Sequence, residues 1–354
     1  MEDGRSDAHA ADPAARGTRP RRIGTEEHFA IPEQLDAWRS MARSVWASQD
    51  LELVRSSGLS YHGQRLIDNL LELGEGRIAK MDEQGLDMAV LSLCSPGVQL
   101  FDSETSSEIA ALANDVLAEQ VRSHPDRFAG LAVFAPHHPT RGIAEMERAI
   151  TQLGLHGFVV NSHTDGHYLD EQQFWGHLEA AEALGAPIYI HPRTLPDAIG
   201  GPFAVYHLSR AAWGYAVETA THALRLITSG VLDRFPRLQI VLGHMGEGLP
   251  FWLYRLDYWN GRHQGKTAPK LEMRVSDYFL RNFTITISGV YQRSALDLSL
   301  TELGEERIMF ATDYPYQPMN EAMAFAATLD DLPAGTIRRL LSENAERVFR
   351  LRSA

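Results

Sequence analysis

Residues Ile23 to Glu33 read IGTEEHFAIPE. An apolar residue and a glycine open the stretch as a strand entering a core would, yet Glu26, Glu27 and His28 stand where that strand should end. Charge in that place makes sense if the strand is one stave of a parallel barrel, because barrel enzymes carry their chemistry at the C-terminal ends of the strands.

Working outward, seven further short apolar runs follow: Met88–Leu93, Phe128–Phe134, Gly157–Asn161, Pro187–Pro192, Gln239–Gly246, Phe283–Ser288 and Ile308–Tyr316. They are continuous rather than alternating, which suits parallel strands covered by helices. Helical patterns separate them. TSSE (Thr105 to Glu108) has capping-box spacing ahead of the stripe Ile109, Leu112, Val116 and Leu117. FWGHLEAAEALG and VETATHALRLITSG end at Gly185 and Gly230, the residue type that stops helices. Strand then helix, eight times over, predicts an α/β fold, the (β/α)8 TIM barrel, as a single domain over 23–354. Segments 30–85 and 194–216 exceed ordinary connections and read as lids or oligomer contacts.

Composition bounds the partners. The 354 residues are 44% hydrophobic and carry a net charge of −13, from 33 basic and 46 acidic side chains. That balance argues against a nucleic-acid surface, which concentrates Lys and Arg. No run approaches the ~20 apolar residues of a membrane span. Residues 1–22, MEDGRSDAHAADPAARGTRPRR, lack period and apolar content and read as a disordered, solvated leader. The single cysteine, Cys94, excludes an intrachain disulfide. It follows the apolar AVLSL, so a buried inert thiol in a reducing, cytoplasmic setting is expected.

Ionisable groups recur at the strand ends: Glu26 and His28 after strand one, His191 after strand five, His244 and Glu247 after strand six, Asp313 after strand eight. Glu26 and His28 are two apart on an extended chain and face the same way. Each group alone reads as a separately satisfied polar residue. Four together do not, because acids facing each other inside a barrel need a cation or a proton. Two carboxylates and two imidazoles suit one divalent ion, Zn²⁺ or Mn²⁺, with no organic cofactor. Glu27 points the other way, toward the surface or behind the site. His244, in GHMGEGLP, is a fifth ligand or a general acid/base that Glu247 orients. His62, His156, His163, His167, His177, His207, His222 and His263 fall off the pattern and read as surface or packing residues, although His163, Asp165 and His167 mimic a metal site.

These residues carry a resemblance. EEHFAIPE, RIAKMDEQGLDMAVLSL, PDRFAGLAVF, IYIHPR, the long stretch ending GHMGEGLPFW, FATDYPY and NAERVF occur in the order found in the amidohydrolase superfamily. Within it the chain resembles the metal-dependent, non-oxidative aromatic-acid decarboxylases, the γ-resorcylate and 5-carboxyvanillate group. The resemblance implies metal ligation by Glu26, His28, His191 and Asp313. It implies proton handling by Asp313 with His244 and Glu247. It also implies a substrate contact from Arg255 across a subunit interface, hence a homodimer or homotetramer, and a pocket-lining Tyr316. The expected substrate is a small aromatic carboxylic acid of the ortho-hydroxybenzoate type, decarboxylated reversibly. The alternative is a metal-dependent hydrolase or hydratase acting on a lactone, amide or enol acid.

Overall fold

The computed structural model describes residues 19–43, 49–50 and 63–351. Among these, eight parallel strands form one sheet in sequence order: β1 (Ile23–Phe29), β2 (Met88–Leu93), β3 (Phe128–Val133), β4 (Phe158–Val160), β5 (Ile188–Ile190), β6 (Ile240–Leu242), β7 (Phe283–Thr286) and β8 (Ile308–Met309). The sheet curls until β8 returns to β1. There the seam is closed by a bridge between Glu27 and Tyr314, by the Thr25 N–H on Phe310 O (3.1 Å) and by the His28 N–H on Tyr314 O (2.7 Å). This is the expected (β/α)8 TIM barrel.

Every strand residue is buried, which explains the unbroken apolar runs. Phe158 of β4 packs edge-on against Phe134 (6.0 Å), and Phe134 stacks on His177 of the helix Trp175–Leu184 (5.2 Å). Phe158 therefore points toward the helices, and strand alternation turns its neighbours Val159 and Asn161 inward. Several strands are shorter than their apolar runs. The run at Gln239–Gly246 gives only three strand residues, because His244, Met245, Gly246 and Glu247 all adopt left-handed conformations (φ 50–66°).

The helix Ser103–Ser123 starts earlier than TSSE suggests. Its cap is Asp102, whose carboxylate accepts from the N–H groups of Glu104 and Thr105. The helix Trp175–Leu184 ends at left-handed Gly185, and Gly214–Thr228 is followed by left-handed Gly230, as expected.

Within the segment 30–85, the helices Gly63–Leu71 and Glu75–Gln84 pack beneath the end of β1. Ala30 N–H bonds Leu70 O, and the buried Arg77 guanidinium donates to the carbonyls of His28 (2.9 Å), Asn69 (2.7 Å) and Glu72 (3.1 Å). These two helices are part of the scaffold. The segment 194–216 holds short helical turns and leaves Val205, Tyr206 and Trp213 exposed. Residues 1–18 of the leader and His62 lie outside the described residues. Arg19 and Arg21, at the leader's basic end, pair with Asp87 (2.7 Å) and Glu346 (2.8 Å), so that end rests on the barrel rather than in solvent. Cys94 is buried, and burial pushes its thiol up to about 12, the inert state expected. No helix among the described residues is long and apolar enough to cross a membrane.

Candidate metal centre

At the C-terminal mouth of the barrel the ends of β1, β5 and β8 converge. Glu26, His28, His191 and Asp313 each present a donor atom, and these atoms lie within 4.8 Å of one another. All four residues are less than a tenth exposed.

Each donor is oriented by a neighbour. Glu26 Oε2 accepts from the hydroxyls of Thr286 (3.1 Å) and Ser288. Its other oxygen, Oε1, is buried without a hydrogen-bond partner and sits 3.5 Å from His191 Nε2. A Cβ on Gly243 would stand 2.8 Å from both Glu26 oxygens, so only glycine lets β6 approach this carboxylate. His191 Nδ1 lies 2.9 Å from Pro192 O. A carbonyl only accepts, so the ring proton belongs on Nδ1 and the Nε2 lone pair faces Glu26. Burial, with the nearby His28, holds the His191 imidazole well below its usual range, hence neutral. His28 has Ser92 Oγ 3.3 Å from Nδ1 and Asp313 Oδ1 3.2 Å from Nε2. Ser92 thus holds the ring so that Nε2 faces the other donors.

These features fit a divalent cation. A buried carboxylate oxygen lacking a donor is costly unless a positive charge meets it, and the His191 imidazole offers a lone pair rather than a proton toward it. The donor set, two nitrogens and two carboxylates, suits Mn²⁺ or Zn²⁺.

His244 stands beside this cluster. Its Nδ1 is 3.1 Å from Glu247 Oε1 and 3.9 Å from Glu26 Oε1, and its Nε2 is 3.8 Å from Asp313 Oδ2. Burial works against charge on this ring, but Glu26 and Glu247 outweigh it and hold the imidazole well above its usual range. Burial raises the Glu247 carboxyl, against the pull of His244. Burial would raise Asp313 too, yet hydrogen bonds and charge from His244 and His28 overcome it and keep the carboxyl low. Asp313 itself is left-handed, with φ 58°. The side chain of His244 is 24% exposed against 0% for His28, so of these two rings it is the one that reaches solvent.

Tyr316 is at the mouth, its ring 5.3 Å from His28 and its hydroxyl against the Cys94 thiol. Arg255 is not brought to the cluster of its own chain. It lies exposed on the helix Leu249–His263, its guanidinium 6.0 Å over Trp259 and beside exposed Phe251, Trp252, Tyr254 and Tyr258. His163 and His167 do not form a second metal site. His163 donates to Thr194 O (2.9 Å), while His167 pairs with Glu171 (2.7 Å).

Sequence reasoning did not single out the supporting groups. Thr286 and Ser288 alternate in FTITIS, an inward polar pattern at a strand end that would have found them. Of the two readings of Glu27, surface or behind the site, the structure shows the second: it is fully buried, its carboxylate accepting from the Thr312 N–H (3.0 Å) and hydroxyl (2.5 Å), and burial raises its carboxyl to about 8. Glu27 points away from the cluster that Glu26 and His28 face, as alternation predicts, but Thr312 and the neighbouring Arg77 cover it there.

Comparison with known proteins gives a consistent set. The amidohydrolase family profile matches residues 67–351. A γ-resorcylate decarboxylase of Polaromonas sp. strain JS666 is 36% identical over 312 residues, covering 85% of this chain and 90% of the relative. The crystal structure of 5-carboxyvanillate decarboxylase from Sphingomonas paucimobilis superposes with a TM-score of 0.90 at 46% identity, over 94% of this chain and all of that one. The 5-carboxyvanillate decarboxylase of Novosphingobium aromaticivorans, solved with manganese and 4-hydroxy-3-methoxy-5-nitrobenzoic acid, also gives 0.90, at 39% identity over 94% and 96% of the two chains.

Proposed function

The chain belongs to the amidohydrolase family, and from that premise we propose that it is a metal-dependent, non-oxidative decarboxylase of an ortho-hydroxybenzoate-type acid. The reading is carried by one observation: a buried, partnerless Glu26 oxygen inside a four-donor cluster, directly beside a histidine–carboxylate pair open to solvent.

Glu26, His28, His191 and Asp313 would hold the ion. When bound, a divalent cation supplies positive charge that favours the ionised phenol oxygen of the substrate and fixes the ring's orientation. Asp313, as a ligand, must be ionised on substrate arrival. It takes the proton of the ortho hydroxyl and passes it to the ring carbon bearing the carboxylate. That carbon becomes tetrahedral and the ring loses aromaticity. Breaking the bond to the carboxylate releases CO₂ and restores the ring as a phenolate. His244, held protonated between Glu26 and Glu247, returns a proton to the phenolate and is recharged from solvent. One proton is consumed in each turnover. The reverse step, carboxylation of a phenol, follows at high bicarbonate.

Tyr316 bounds the ring-binding space beside His28. Arg255 completes the site from a second copy, and its exposed aromatic helix provides the contact face of a homodimer or homotetramer, since a monomer seldom leaves such a patch in water. The test is to incubate the protein with Mn²⁺ or Zn²⁺ and 2,6-dihydroxybenzoate, 2,3-dihydroxybenzoate or 5-carboxyvanillate. CO₂ with the matching phenol is expected from at least one. Water addition or ring opening without gas would sink the assignment.

A further inference from the structure

We propose that Glu27 is a positioning residue, which sets Asp313 against the donors of β1. The inference rests on the reading of Asp313 as ligand and proton carrier, and it concerns a buried acid to which that mechanism gives no part.

Asp313 occupies the left-handed region (φ 58°), a state that persists only where the surroundings over-determine it. Both neighbouring residues, Thr312 and Tyr314, are held through their backbones. On one side Glu27 takes the Thr312 N–H at 3.0 Å and the Thr312 hydroxyl at 2.5 Å, while the Tyr291 hydroxyl donates to Thr312 O at 3.0 Å. On the other side the His28 N–H holds Tyr314 O at 2.7 Å. Two of these anchors come from β1, the strand that also supplies Glu26 and His28. Glu27 thus references the β8 ligand to the β1 ligands across the seam of the barrel, where regular strand pairing has shrunk to a single bridge.

The chain makes room for this carboxylate. A Cβ on Gly24 would overlap the Glu27 side chain, and the strand register shifts between these two residues. Arg77 secures the other end of the arrangement by donating to the carbonyl of His28 (2.9 Å). A residue that only closed the barrel would affect stability alone. A residue that places Asp313 must also affect how tightly the ion is held and how fast the proton moves.

The experiment compares wild type with Glu27→Gln, Glu27→Ala and Thr312→Val. Mn²⁺ affinity of the metal-stripped proteins is measured by chelator competition, kcat and KM on the active hydroxybenzoate, and all below each variant's melting temperature. Glu27→Ala is expected to weaken Mn²⁺ binding about 10–100-fold, as loss of a group supporting a ligand does, and to lower kcat with little change in KM. Glu27→Gln should restore both, because its amide oxygen accepts the Thr312 N–H and its NH₂ donates to the Thr312 hydroxyl oxygen. Wild-type affinity and kcat in the Ala variant would overturn the proposal, as would a Gln variant as impaired as Ala. If Glu27→Ala does not fold, Thr312→Val decides: unchanged Mn²⁺ affinity overturns the proposal and weakened affinity supports it. A wild type that binds Mn²⁺ but decarboxylates nothing removes the proposed activity, while the affinity series still judges Glu27. A wild type that binds neither Mn²⁺ nor Zn²⁺ removes both.

Discussion

In the mechanism proposed above, Asp313 answers two demands with one side chain: it stays ionised to face a cation, and it carries a proton during turnover. There His28 and His244, which lie against its carboxylate, would serve the first demand, and the His244–Glu247 pair the second. Asp313→Asn keeps the shape and removes the exchangeable acid. Its kcat should fall by about 10²–10⁴, while an unreactive nitro analogue of the substrate still binds in a titration. Ser288 is a less obvious lever. Its hydroxyl oxygen accepts the His244 N–H at 3.0 Å while its proton goes to Glu26. Ser288→Ala should weaken metal binding about 10–100-fold, read by chelator competition. An unchanged affinity would show that Thr286 alone suffices to orient Glu26.

Strands and helices place these residues with small local devices. Gly243 ends β6 and lets its backbone pass within van der Waals range of the Glu26 carboxylate, so Gly243→Ala should cost about 1–3 kcal/mol through overpacking and displace the ligand, seen as a lowered melting temperature together with lost metal. Asp102→Ala removes the cap of Ser103–Ser123 and should cost about 1 kcal/mol in urea unfolding, with metal affinity untouched. The eight apolar runs were legible in the sequence because they repeat with the barrel's own period, and the charged groups because they stand at the ends of runs one, five, six and eight. Asp102 was not, since TSSE offers a competing cap spacing three residues on. Nor was the burial of Glu27, which depends on Thr312 of the distant β8 end and leaves no mark on the apolar pattern. The alternating hydroxyls of β7 were present in the text of the chain, but their meaning depends on which strand faces Glu26.

At the scale of the molecule, two buried groups away from the metal cluster set opposite pH limits. Burial raises the Glu218 carboxyl from 4.5 to about 8, where it meets the Ser162 hydroxyl. The native state then holds a proton that the unfolded chain has lost, so this contribution is complete below 4.5 and disappears as pH rises through about 8. Burial lowers His177 from 6.5 to about 4, so its contribution is complete above 6.5 and disappears as pH falls through about 4. Urea midpoints of Glu218→Gln and His177→Phe across those windows should each lose the matching slope; slopes identical to wild type would refute the assignment. The overall architecture was readable from repetition, whereas this pH behaviour was not, because burial of a helix histidine or glutamate is decided by packing between distant elements. The same long reach governs how the protein comes into being. His28 and Asp313 are 285 positions apart, on the two strands whose meeting closes the barrel. A growing chain therefore emerges from the ribosome with its first donors in place and no complete cage to receive an ion. On the proposed ligand set, loading waits for the finished protein, and a truncation that removes the final strand should yield a chain that cannot complete the four-donor site, however well its first half has folded.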